Sequence, residues 1–192
     1  MDRIVLASRS PRRKQLLEWA EIDFDVIVHE TDESYPADLP VEKVPVHIAR
    51  NKALAVGKTL DPGRMVVAAD TVVVLNNEII GKPVDRAEAI RILTRLSGKK
   101  HLVITGVVMM RNGRERALSD STEVWFHELT PAQIEFYVDN YKPYDKAGAY
   151  AIQEWIGVVG IRAIHGDFYN VMGFPVSRVL KELDNWEKQA PD

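Results

Sequence analysis

The stretch "MVVAADTVVVLNNEIIGKP", Met65 to Pro83, constrains this chain more than any other. Its first part is a nearly continuous apolar run that reads as a strand too apolar to face water on both sides. Asn76 and Asn77 tolerate positive φ and predict a tight turn into a short returning strand that ends at Gly81. A helix is predicted before this stretch, from Val44 or Pro45 to Lys58, with Ile48, Ala55 and Val56 among its apolar positions. Asp85 and Glu88 then start a helix predicted to reach Ser97, with Gly98 as its stop.

A second strand pair is predicted around Asn112 and Gly113, joining Leu102–Met110 to Glu115–His127. Thr130, Pro131 and Gln133 open a helix to about Asp139, short strands are predicted at Ala149–Gln153 and Val158–His165, and a last helix opens at Pro175, burying Val176, Val179, Leu180 and Leu183. The two hairpins make the sheet mixed. The fold class expected is α/β, a mixed twisted sheet with flanking helices in two lobes around a cleft, with residues 1–192 forming a single domain.

Composition bounds the function. The chain has no cysteine, which excludes a disulfide scaffold and fits a reducing, cytoplasmic setting. No apolar stretch approaches the roughly 18 residues of a membrane span, so no membrane partner is expected. A net charge of −3 argues against a surface devoted to nucleic acid. The five histidines show no metal-ligand spacing, and there is no G-x-S-x-G, Walker A or G-x-G-x-x-G sequence. What remains is an oxygen-ligand inventory, carboxylates among arginines and lysines, suited to a hard cation and a polyphosphate.

Two places concentrate that inventory. In "LASRSPRR", a strand Ile4–Ala7 turns into a helix with Ser10 as N-cap and Pro11 at the first helical position. Arg12 and Arg13 then lie in a first turn whose dipole disfavours cations by about 0.3–1 kcal/mol each. Converging N–H groups, the Ser8 and Ser10 hydroxyls and two guanidinium forks suit a phosphate, and a solvated basic turn is the plainer alternative. Asp70 stands inside the apolar strand, where a carboxylate needs hydrogen bonds, a cation or a metal, as a structural or a functional acid. Taken singly, Lys52 reads as a lysine lying along a helix flank, Lys82 as a surface residue of a Gly-Pro turn, Glu33 as part of a solvated loop, and Glu123 as an edge-strand residue.

Taken together, "LASRSPRR", "AADTVV", "GKP", "ITGV", "DKAGAYAIQ" and "NVMGFP", in this order from residue 6 to residue 175, resemble the Maf family of nucleotide pyrophosphatases. The resemblance implies a fold related to the inosine triphosphate pyrophosphatases. It implies hydrolysis of a nucleoside triphosphate between the α and β phosphates, to monophosphate and pyrophosphate, with a divalent cation, Mg²⁺ or Mn²⁺. Asp70 matches the family's catalytic acid, as base or metal ligand, and Glu33 an acidic residue of the same site. Ser8 belongs to the phosphate-binding start, where Arg13, Lys52 and Lys82 match the residues holding the polyphosphate. Arg12, Thr71 and Gln153 match the positions that mark the branch acting on dTTP and UTP. Met172 and Phe174 depart from the more usual aliphatic residues and bear only on packing near the last helix. A nucleotide-binding regulator of cell division without turnover is the alternative function, and a homodimer is compatible with either.

Overall fold

A computed structural model describes residues 3–188 of the protein. In chain order its elements are β1 (Ile4–Leu6), α1 (Pro11–Trp19), β2 (Phe24–Val26), α2 (Val44–Gly57), β3 (Val66–Leu75), β4 (Glu78–Ile80), α3 (Arg86–Leu96), β5 (Lys100–Arg111), β6 (Arg114–Phe126) and α4 (Pro131–Tyr141). They continue as a 3₁₀ turn (Ala147–Ala149), α5 (Trp155–Gly160), β7 (Ile161–His165), α6 (Phe168–Met172) and α7 (Val176–Lys188). The strands form one seven-stranded sheet in the order β2-β1-β3-β5-β6-β7, with β4 also pairing β3. β1 runs parallel to β2 and β3, whereas β4 is antiparallel to β3 and β7 to β6, so the sheet is mixed as expected.

Local chemistry accounts for most boundaries. Asn76 and Asn77 take φ of 52° and 64°, and Asn112 and Gly113 take 53° and 72°, the left-handed conformations that let two residues reverse a strand. Asp85 accepts from the Glu88 N–H at 2.8 Å while Glu88 accepts from the Val84 N–H at 2.7 Å, which satisfies donors at the start of α3. Thr130 and Gln133 close a full capping box on α4. The C-terminal part of the chain departs from the expectation. Residues 149–153 form no strand, because Gly148 and Ala149 both take positive φ, 71° and 57°, and turn the chain. Residues 158–160 end a short helix rather than begin a strand, and β7 starts only at Ile161. Glu123 lies on β6, which is flanked by β5 and β7 and is no edge; it is half-buried and pairs with Lys100 at 2.8 Å.

The chain divides into two compact units, Met1–Asp70, Thr105–Asp120 and Gly173–Asp192 in the first, Thr71–Ile104 and Ser121–Met172 in the second. β3, β5 and β6 each contribute residues to both. The first unit has a core built largely from small side chains: Val5, Ala7, Ala49, Ala53, Val56, Val66, Ala68 and Val108. Alanine on both faces of the contact lets α2 approach β1 and β3 closely. Gly106 on β5 takes this further, since a Cβ there would fall 2.3 Å from the Val46 nitrogen. Close approach of α2 fixes where Lys52 emerges.

In the second unit His101 is buried beside Phe126 and Tyr150, with its Nε2 at 2.7 Å from the Tyr150 hydroxyl. Its Nδ1 has no hydrogen-bond partner among the described residues. Burial pushes the imidazole down to about 4, and the Tyr150 hydroxyl up. A base with a depressed folded pKa is neutral when folded but protonates when unfolded, so stability present above about pH 6.5 drains away as the pH falls towards 4. The loss from this one group is of the order of 3 kcal/mol. Thermal melts between pH 7 and pH 4 are expected to show His101→Gln losing less over this descent than the parent chain; equal losses would remove His101 as the cause.

Candidate active site

The junction of β1 and α1 gathers the first group of residues. Ser10 has the extended backbone of an N-cap, with φ −66° and ψ 117°, but its side chain makes no capping bond. The hydroxyl that serves there belongs to Ser8, which accepts from the Ser10 N–H at 3.2 Å and from Arg13 Nη1 at 3.1 Å. Ser8 is buried, so a bond to a buried guanidinium gains more than Ser10 would gain in water.

Arg13 shows how a cation is held in a first helical turn. It is only 8% exposed; its Nε donates to the Gly173 carbonyl and its Nη1 to the Ala69 carbonyl, both at 2.8 Å. These acceptors, drawn from 160 and 56 residues away, offset the unfavourable dipole. Burial lowers the guanidinium to about 10; Asp70 raises it, Arg12 lowers it and Glu33 raises it again. It is charged throughout the neutral range.

Ala69 directly precedes Asp70 on β3, so the arginine's anchor and the carboxylate are neighbours on one strand. Asp70 is 9% exposed, and its Oδ1 accepts from Lys52 Nζ at 2.8 Å. The same ammonium stands 2.7 Å from Glu33 Oε1. Lys52 is therefore not a lysine lying along a helix flank: it leaves α2 to bridge two carboxylates with its side chain 18% exposed. Glu33 is half-exposed on the loop before α2. That loop is ordered locally by Asp32, which accepts from the Ser34 N–H at 2.8 Å and from its hydroxyl at 2.6 Å. Ser8, Arg13, Glu33, Lys52 and Asp70 thus form one connected set within the first unit, and Arg12 is half-buried beside Arg13 on α1.

Thr71, Lys82 and Gln153 belong to the second unit. Thr71 is half-buried on β3, and Lys82 and Gln153 are exposed on loops. Their three segments are fastened together. β4, which leads to Lys82, pairs with β3 through Val73 and Ile80, and the Gly81 carbonyl accepts from the Gly148 N–H at 3.1 Å. Gly148 can come this close only as glycine, because its φ is 71° and a Cβ would meet Val73 at 2.9 Å.

The backbone acceptors Ala69 and Gly173 escaped the sequence reading, since no side-chain pattern marks a carbonyl. Gly173, with φ 110°, sits in "NVMGFP", and its glycine was the available clue.

The Maf-like protein family matches residues 3–186. The chain belongs to that family. A Cytophaga hutchinsonii protein named dTTP/UTP pyrophosphatase is 48% identical over 181 residues, 94% of this chain and 83% of its own length. Proteins of the same name from Bacteroides thetaiotaomicron and Parabacteroides distasonis are 44% and 45% identical, covering 94% and 96% of both chains respectively. The solved Staphylococcus aureus Ham1 protein overlaps 65% of this Maf-like chain and 72% of its own, at 14% identity and a TM-score of 0.43, an overlap from which no assignment follows. Among the described residues no helix is long and apolar enough to cross a membrane.

Proposed function

We propose that this Maf-like protein is a nucleoside triphosphate pyrophosphatase that prefers dTTP and UTP and cleaves between the α and β phosphates. The observation that carries the reading is the ammonium of Lys52 held between Asp70 and Glu33, beside the residue of β3 on which Arg13 is anchored. The relatives' shared name supports the substrate class. Water attacks a phosphoryl centre when it is positioned and the phosphate charge is neutralised, with little covalent work for the protein. Asp70 accepts the proton of the attacking water at Oδ2, while Lys52 holds the other carboxylate oxygen. Lys52, Lys82 and Arg13 supply positive charge to the phosphates, and the Ser8 hydroxyl lies at the same helix start. Thr71, Arg12 and Gln153 contact the nucleoside; the Gln153 amide, donor and acceptor together, reads a pyrimidine edge.

A divalent cation fits this donor set. No group of three His, Cys, Asp or Glu among the described residues could hold a metal alone, but Mg²⁺ characteristically needs only one or two carboxylates with substrate phosphates completing its shell. Glu33 and Asp70 would be those carboxylates, Asp70 then serving as metal ligand in place of base, and a cation there would neutralise phosphate charge and make a bound water more acidic. Release of pyrophosphate from a panel of normal and modified triphosphates, with Mg²⁺ or Mn²⁺, tests the function. Turnover fastest on dTTP and UTP is expected. Nucleotide binding without pyrophosphate release would favour a regulator instead. EDTA is expected to abolish turnover while leaving the melting temperature unchanged, and full turnover in chelator would exclude the metal.

A further inference from the structure

Gln153 is exposed, yet one buried phenol is bonded on both sides of it, to a backbone N–H before it and to a side-chain carboxylate after it. Tyr137 on α4 is fully buried; its hydroxyl donates to Glu154 Oε2 and accepts from the Ala151 N–H at 3.1 Å. The turn is closed by the Glu154 N–H, which donates to the Ala151 carbonyl at 3.1 Å. Behind it, Lys146, 8% exposed, sets its Nζ 3.6 Å from Glu154 Oε1 and 2.7 Å from Asp145 Oδ1. Ahead of it, the Gly157 N–H donates to the Glu154 carbonyl at 2.9 Å, and a Cβ on Gly157 would fall 1.7 Å from the Ile152 carbonyl oxygen, so α5 can begin this close to the turn only with glycine there.

A buried phenol hydroxyl donates once and also accepts, and both capacities are used here. The hydroxyl has a partner on each side of a single exposed amide, two residues before it and one after. A recognition side chain held by a fixed backbone gives up less freedom on binding and discriminates more sharply than one on a loose loop. We propose that Tyr137, acting through Glu154 and the Ala151 N–H, is a positioning residue for base selectivity, presenting the Gln153 amide to the pyrimidine edge. The proposal rests on the reading of Gln153 as a base contact.

The test compares kcat/KM for dTTP, UTP, ATP and GTP across Tyr137→Phe, Glu154→Ala, Glu154→Gln, Gln153→Ala and Tyr137→Phe/Gln153→Ala, with melting temperatures alongside. Tyr137→Phe keeps the ring stacked on Tyr141. It is expected to lower the ratio of dTTP to ATP roughly five- to twentyfold, chiefly through KM for the pyrimidine nucleotides, with ATP changed less than twofold. Glu154→Ala, which leaves the buried ring intact, should reproduce that loss even if Tyr137→Phe folds poorly. Glu154→Gln keeps an acceptor for the phenol and should hold the ratio within twofold of the parent. The double variant should be no less selective than Gln153→Ala alone. An unchanged ratio in both Tyr137→Phe and Glu154→Ala while Gln153→Ala loses it, or an equal loss on all four substrates, would overturn the positioning role. A loss in Glu154→Gln as large as in Glu154→Ala would overturn the hydrogen-bond route. An unchanged ratio in Gln153→Ala would instead overturn the base contact itself, and this proposal with it.

Discussion

Asp70→Asn is expected to reduce pyrophosphate release by roughly 10²–10⁴-fold, the usual contribution of a positioned proton acceptor. The amide keeps the shape of the carboxylate and one oxygen for Lys52, whose ammonium stays paired with Glu33. What it loses is basicity and the charge available to a divalent cation. Because Asp70 is mostly buried but not sealed, the substitution should leave folding and much of nucleotide binding intact. Single-turnover assays with a saturating triphosphate separate the chemical step from binding, and a melt confirms the fold. A variant with near-parental turnover would return Asp70 to a structural role, as a carboxylate held by Lys52 in a strand that happens to be covered. The same protein should still bind triphosphate, which distinguishes lost chemistry from a lost site.

Local signals made the fold legible where one or two residues decide the backbone. Asn76 with Asn77 and Asn112 with Gly113 set both hairpins, and Asp85 with Glu88 and Thr130 with Gln133 set two helix starts, each by side-chain chemistry within four residues. The expected strands are absent between Ala149 and Gly160, a stretch rich in Gly and aromatics. There the positive φ of Ala149 and the close approach of Gly157 to the Ile152 carbonyl set the backbone instead, and neither is visible without the tertiary contact. At the site the division is similar. Asp70 was conspicuous because a carboxylate in an apolar strand must be explained. Lys52 and Glu33, read singly, looked ordinary, and only the approach of α2 over a floor of alanines shows that one ammonium serves both carboxylates.

Arg13→Ala is expected to act twice, on stability and on every substrate alike. Removing the guanidinium takes its hydrogen bonds from the Ala69 and Gly173 carbonyls and the Ser8 hydroxyl. Buried acceptors stripped in this way cost about 1–3 kcal/mol each where water cannot replace the donor; with water entering the vacated space to satisfy some of the three, a total loss of roughly 2–5 kcal/mol is expected. For a chain of 192 residues that lowers the melting temperature by roughly 5–15 °C. Arg13→Lys should recover only part, because an ammonium on a flexible stem cannot reach three acceptors held by a planar fork. Activity should fall with either variant, since both loosen the anchor on the Ala69 carbonyl just before Asp70, and Arg13→Ala also removes the charge offered to the phosphates. A group that touches phosphate and backbone carries no information about the base, so kcat/KM for dTTP, UTP, ATP and GTP should drop by one common factor at a temperature where the variant is folded. A drop confined to the pyrimidine nucleotides would move Arg13 out of the phosphate-binding set and into base recognition, whereas unchanged activity with lowered stability would leave it as the anchor of the β1–α1 junction alone.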